Sequence, residues 1–103
     1  MINDNLRKFD EVVSDLRNLY ERKNKDYKDS FKRSLDKRGL IAYIVRAEDK
    51  FERIDNLLEN VAEVNDEAIE DTIRDLANYS IMAVMWIEEN KKKMDDTYMP
   101  GGR

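Results

Sequence analysis

A chain of 103 residues, 41% charged and 41% hydrophobic, with a formal net charge of -4, is one domain, long enough to bury roughly two-thirds of its unfolded surface and too short for a second core. It has no cysteine and no histidine, which excludes disulfides, zinc sites of the usual kind, thiol nucleophiles and imidazole acid–base chemistry, so any catalysis falls to carboxylates. Three Gly and one Pro, with two of those Gly and the Pro in the closing MPGGR, suit long amphipathic helices and argue against a sheet with tight turns.

No stretch approaches the ~18 apolar residues of a membrane span, and the N-terminus lacks a short apolar leader. A cytosolic protein with no membrane partner is the expectation. The expected organisation is a single helical domain over 1–95 and a flexible tail over 96–103.

The first predicted helix starts at Asn3 or Asp4, either of which can cap it, and runs to about Asn24. Leu6, Phe9, Val12, Val13, Leu16, Leu19 and Tyr20 recur at the spacing that builds one apolar face. Residues 25–38 lose this periodicity and read as a loop, with Phe31 and Leu35 able to tuck a short helical turn onto the core. The run 22–38 holds eight Lys or Arg against three Asp. Broken by Asp26, Asp29 and Asp36 in an acidic chain, it argues against nucleic acid as a partner, and its simplest reading is a solvated charge run.

A second helix is expected from Gly39 to about Asn60, with Leu40, Ile41, Ile44, Val45, Phe51, Ile54 and Leu58 inward. Residues 59–71 hold six acids and no base. Within them NVAEVND reads as a connection, and Asp66 caps a third helix running to about Lys92, ~40 Å at 1.5 Å per residue.

Two stripes run along that third helix. Ile69, Ile73, Leu76, Ala77, Ser80, Ala83, Val84 and Ile87 cluster on one side, expected to meet the core. Nearly opposite lie Asp71, Asp75, Asn78, Met82 and Met85, close to Trp86, and a stripe this apolar in its second half is expected to be covered by another subunit. Asp71 and Asp75, one turn apart, repel each other unless something compensates. A Mg²⁺ ion is one solution, since hard cations take carboxylate oxygens and keep waters for a substrate's phosphates. Pairing with Arg46, Arg53 or Arg74 at a polar seam is the other. The second helix adds Glu48, Asp49 and Glu52 beside Arg46, Lys50 and Arg53, and a short connection makes the two helices antiparallel neighbours.

Three blocks in order, ERKNKDYKDSF, IVRAEDKFERIDNL and VNDEAIEDTIRDLANYSIM, resemble the small, mostly phage and bacterial, MazG-like proteins described as a nucleotide modification associated domain, grouped with the all-alpha NTP pyrophosphohydrolases. The resemblance covers about residues 18–87. It implies an all-α, MazG-like bundle of three main helices completed by oligomerisation, as a dimer or tetramer, in which acids on two helices hold Mg²⁺ against a nucleoside triphosphate. The implied reaction is Mg²⁺-dependent release of pyrophosphate, leaving the monophosphate.

By that resemblance Asp49, Asp71 and Asp75 are catalytic metal ligands, with Glu52 or Glu48 as a further ligand. Lys23, Lys50 and Arg53 neutralise phosphate, with Arg46 beside them among the nucleotide-binding residues. Asn78 bonds sugar or phosphate, and Tyr27 and Tyr79 offer faces to the base. The wider superfamily carries ExxE and ExxD on its two helices. Here Asp49 to Glu52 keeps the interval with an Asp first, and Asp71 to Asp75 is one residue wider. That departure favours the alternative of a module that holds a nucleotide, such as a cyclic or signalling one in phage defence, without cleaving it. A helical adaptor with no ligand is the third reading.

Overall fold

The computed structural model describes residues 3–60 and 66–94, with side chains through Lys91. The expected connection across 61–65 and the expected tail over 96–103 lie outside the described residues. Four α-helices and one π-helical segment account for almost all of the rest, with no strand among the described residues.

Helix α1 (Asp4–Arg22) opens with Asp4, whose charge suits a helix N-terminus and which pairs with Arg7 at 2.5 Å. It closes two residues earlier than expected, where the Lys23 N–H bonds to the Leu19 carbonyl. The stretch expected as a loop is helical instead. Lys25–Phe31 forms a π-helical segment, in which the Lys32 N–H reaches back five residues to the Tyr27 carbonyl, and α2 (Lys32–Arg38) continues from it. The reason is local. The wider π turn brings Tyr27, Phe31 and Leu35 to one side, and all three are fully buried or nearly so. Their four-residue spacing suits a helix, but three apolar side chains in a run so rich in charge make a weak periodic signal.

Gly39 ends α2 at φ 72° and ψ -155°, a backbone region that only glycine enters cheaply. Helix α3 (Ile41–Glu59) follows and turns back toward α4 (Asp66–Met94). The two are antiparallel, as cross-links from Tyr43 to Ser80, Arg46 to Tyr79, Lys50 to Asp75 and Arg53 to Thr72 show: the α4 partner's number falls as the α3 number climbs.

The core is small and aromatic. Tyr27, Phe31, Leu35, Ala42, Tyr79 and Met82 are buried together, with Tyr20, Tyr43 and Trp86 packed against them. Tyr20 stacks on Tyr27 at 5.9 Å, and Tyr79 meets Tyr27 and Phe31 edge-on at 5.3 and 4.7 Å, separations at which aromatic pairs attract beyond their buried area. Trp86 Nε1 donates to Asp36 Oδ1 at 3.0 Å, tying α4 to α2.

This placement overturns the expected facing of two helices. On α4 the buried side is Thr72, Asp75, Asn78, Tyr79, Met82 and Ala83, whereas Ile73, Val84 and Ile87, expected inward, are exposed. The middle of the polar stripe, Asp75, Asn78 and Met82, is therefore covered within the chain, while Asp71 and Met85 at its ends are exposed. On α3, Leu40, Ile41, Ile44, Val45, Phe51 and Leu58 are exposed, and Ala42, Tyr43, Arg46, Ala47 and Lys50 turn inward. Periodicity locates a stripe but does not say which of two stripes meets the neighbour. The aromatic cluster, with its larger contact area per residue, took the inner position.

Candidate functional site

Where the C-terminal turn of α1 passes the first half of α4, opposite the middle of α3, a cleft of about 390 Å³ opens. Arg22 and Lys23 enter it from α1 and its cap, Lys50 and Arg53 from α3, and Asp71, Thr72 and Asp75 from α4. Helical spacing explains the set. Lys50 and Arg53 are three apart on the face α3 turns toward α4, and Asp71 and Asp75 are four apart on α4. Four cationic side chains thus share the cleft with two carboxylates in a chain whose net charge is -4.

One of those carboxylates is spoken for. Asp75, 7% exposed, accepts from the Tyr27 hydroxyl and pairs with Lys50 Nζ at 2.9 Å and Lys23 Nζ at 3.5 Å. Burial pushes its carboxyl up, but the Tyr27 and Lys50 hydrogen bonds and the lysine charges outweigh burial and hold it below the ordinary carboxylate value. For Tyr27 the same burial and the same hydrogen bond push the phenol well above its usual range. Asp71, by contrast, is exposed and makes no ion pair among the described residues. The compensation expected from Arg46, Arg53 or Arg74 is not what forms: lysines pair with Asp75, and Arg74 is held by Asp15 and Glu70.

Arg53 donates from Nε to Thr72 Oγ1 at 3.2 Å, and Thr72 in turn donates to the Ala68 carbonyl at 2.7 Å. This fixes the guanidinium at the cleft wall and leaves most of its five N–H donors for an incoming oxygen. Positive charge on a partly enclosed surface draws anions, and forked guanidinium donors suit phosphate oxygens.

The other expected site residues are distributed differently. Asp49 and Glu52 are exposed and line a separate cleft of about 340 Å³ with Arg53, Asn56 and Asn60; Glu48 is exposed as well. Among the described residues no three acids come together to hold a metal ion, and of the four expected metal ligands only Asp71 and Asp75 share the main cleft. Tyr27 and Tyr79 are buried with their rings in the aromatic core and offer no free face to a base. Arg46 lies over the rings of Phe31 and Tyr79, 5.5 and 5.4 Å from their centroids, and donates to the Tyr79 hydroxyl at 3.1 Å. Asn78 is buried and donates to the Leu16 carbonyl at 3.1 Å, joining α4 to α1.

The cleft also uses Arg22 and Thr72, which the sequence reading did not single out. Arg22 stood in the basic run, but nothing in that run distinguishes it from its neighbours until α1 is docked on α4.

A family profile described as Nucleotide modification associated domain 1 matches residues 23–87. The chain belongs to that family. No curated protein and no solved structure matches it. The Nucleotide modification associated domain 1 span takes in the π segment, α2, α3 and most of α4. It therefore includes six of the cleft's polar residues: Lys23, Lys50, Arg53, Asp71, Thr72 and Asp75. Leu19 and Arg22, on the wall supplied by α1, fall outside it.

Proposed function

We propose that this protein holds a nucleotide by its phosphates in the cleft between α1, α3 and α4. The observation that carries the reading is the convergence of Arg22, Lys23, Lys50 and Arg53 on one cavity of nucleotide-like size, inside a family whose description concerns nucleotide modification. Ligand pockets commonly start near 300 Å³. A thermal-shift screen of nucleotides with and without Mg²⁺, followed by chromatography of what the denatured complex releases, tests it. Intact nucleotide supports holding without cleavage; no stabilisation by any nucleotide sinks the reading and leaves a helical adaptor.

Mg²⁺-dependent hydrolysis to a monophosphate and pyrophosphate, as in MazG-like enzymes, is the second reading. It is favoured by Asp71, a carboxylate on the cleft one turn from Asp75 that makes no ion pair among the described residues. The same chromatography separates the two, because turnover leaves pyrophosphate, and loss of that product in Asp71→Asn assigns the carboxylate.

The bundle itself is completed by a second copy in this reading. Ile41, Ile44, Val45, Phe51 and Leu58 form an exposed apolar stripe on α3, and Ile73, Val84 and Ile87 another on α4. Contiguous apolar surface of this kind marks protein–protein contact.

A further inference from the structure

The floor of the cleft is organised around one carboxylate. Asp75 Oδ1 takes the Tyr27 hydroxyl and Lys23 Nζ, the latter at 3.5 Å, while Oδ2 takes Lys50 Nζ at 2.9 Å. Each ammonium has three donors, and one shared carboxylate does not occupy them all. The lysine side chains are 37% and 22% exposed and line the cavity, so the remaining donors are within reach of a ligand. Asp75 already faces two cations and a hydroxyl, and Asp49 and Glu52 open onto a different cleft. An acid in that state anchors positive charge, and a metal ion would have to compete with both ammoniums for its oxygens.

We propose that Asp75 is a positioning residue that aims Lys23 and Lys50 at the phosphate end of the ligand, and that the cleft grips that end without a bridging divalent cation. This rests on the nucleotide-holding reading above and specifies its chemistry. A carboxylate beside an anion site repels the anion, so it helps only by ordering something else. Lysine stems are long and flexible, and ordering them before the ligand arrives removes part of the entropy cost of binding. Tyr27 matters for the same reason: a buried hydroxyl on the π segment holds Asp75 itself in place.

The test is calorimetric titration of the full chain with inorganic tripolyphosphate, once in excess chelator and once in excess Mg²⁺. The wild type binds in chelator. Asp75→Asn weakens that binding about tenfold even though the cleft becomes more positive, because an amide offers its N–H face to the lysines where two carboxylate oxygens had accepted. In a Lys23→Gln/Lys50→Gln background, adding Asp75→Asn causes no further weakening, as it must if Asp75 helps only through those lysines.

Three results overturn the proposal: unchanged or tighter binding by folded Asp75→Asn, a loss confined to the Mg²⁺ arm as for a metal ligand, or wild-type binding that requires Mg²⁺. The last leaves the nucleotide-holding reading standing, whereas failure of wild type to bind tripolyphosphate or any nucleotide in either arm removes both. Should Asp75→Asn not fold by circular dichroism, Lys50→Gln alone decides, because Lys50 sits at the cleft surface: weaker binding in chelator supports the clamp and unchanged binding ends it.

Discussion

The Tyr27 hydroxyl donates to the Asp75 carboxylate across 48 positions of chain, fastening the π segment to α4 directly beneath the cationic cleft. The same carboxylate holds a lysine from α3 and the lysine that caps α1. Four parts of the fold therefore meet at one side chain, and the stability of the fold and the shape of the cleft are linked there.

Tyr27→Phe is expected to keep the ring contacts with Tyr20 and Tyr79 and to lose the hydroxyl's hydrogen bonds, to Asp75 and to Asn78. Removing one donor from a buried carboxylate should destabilise by about 1–3 kcal/mol. Urea unfolding followed by circular dichroism measures it, with an unchanged slope showing that the same surface is exposed. A variant as stable as the wild type would mean that the hydroxyl contributes nothing net.

Stability should fall at both ends of the pH scale through this pair. Asp75 titrates lower folded than unfolded, so its contribution is present above the ordinary value of about 3.9 and is lost as pH drops through the folded value. Tyr27 titrates higher folded than unfolded, so its contribution is present below about 10 and is lost as pH climbs toward the folded value. Melting temperatures taken across pH should show an alkaline decline that is shallower in Tyr27→Phe and an acid decline that is shallower in Asp75→Asn. Identical profiles for wild type and variants would contradict the assignment.

Gly39 joins α2 to α3 at φ 72°, ψ -155° with open space where a Cβ would stand. The cost of Gly39→Ala is thus conformational, with no clash to relieve, and should be about 1–3 kcal/mol. Chemical denaturation of this variant beside an Ala substitution at Ser34, within α2, checks it; equal stability of the two would show that the turn tolerates a side chain.

The exposed stripe on α3 makes a prediction about mass. Phe51, 60% exposed, lies at its centre, and Phe51→Glu should convert an oligomer into a single chain in sedimentation velocity while helical circular dichroism persists. A wild type that already sediments as one chain at tens of micromolar would dispose of the second-copy reading.

Much of this was readable before any coordinates. Asp66 at the start of the long helix, a helix opening near Gly39, and the antiparallel pairing of the last two helices follow from capping, glycine and linker length, all of which are local. Of the residues the sequence offers as ligand-binding, Lys23, Lys50, Arg53, Asp71 and Asp75 line the cleft, whereas Tyr27, Arg46, Asp49, Glu52, Asn78 and Tyr79 do not. The π segment was not readable, because Tyr27 and Phe31 are the only apolar residues between 25 and 31 and a single pair sets no period.

Composition and periodicity by themselves determined that the fold is of the all-helical class seen in the described residues, where its long helices run, and that its charged residues lie at turn-by-turn spacing, because hydrogen bonding along a helix depends only on neighbours in the chain. Tertiary structure alone decided which stripe of α3 and of α4 faces inward, that Tyr27, Tyr79 and Asn78 are core residues, and that Asp75 is claimed by two lysines while Asp49 and Glu52 look elsewhere. Those outcomes depend on the rotation of one helix about its axis relative to another, and that rotation is settled by competition between whole faces for the same neighbour.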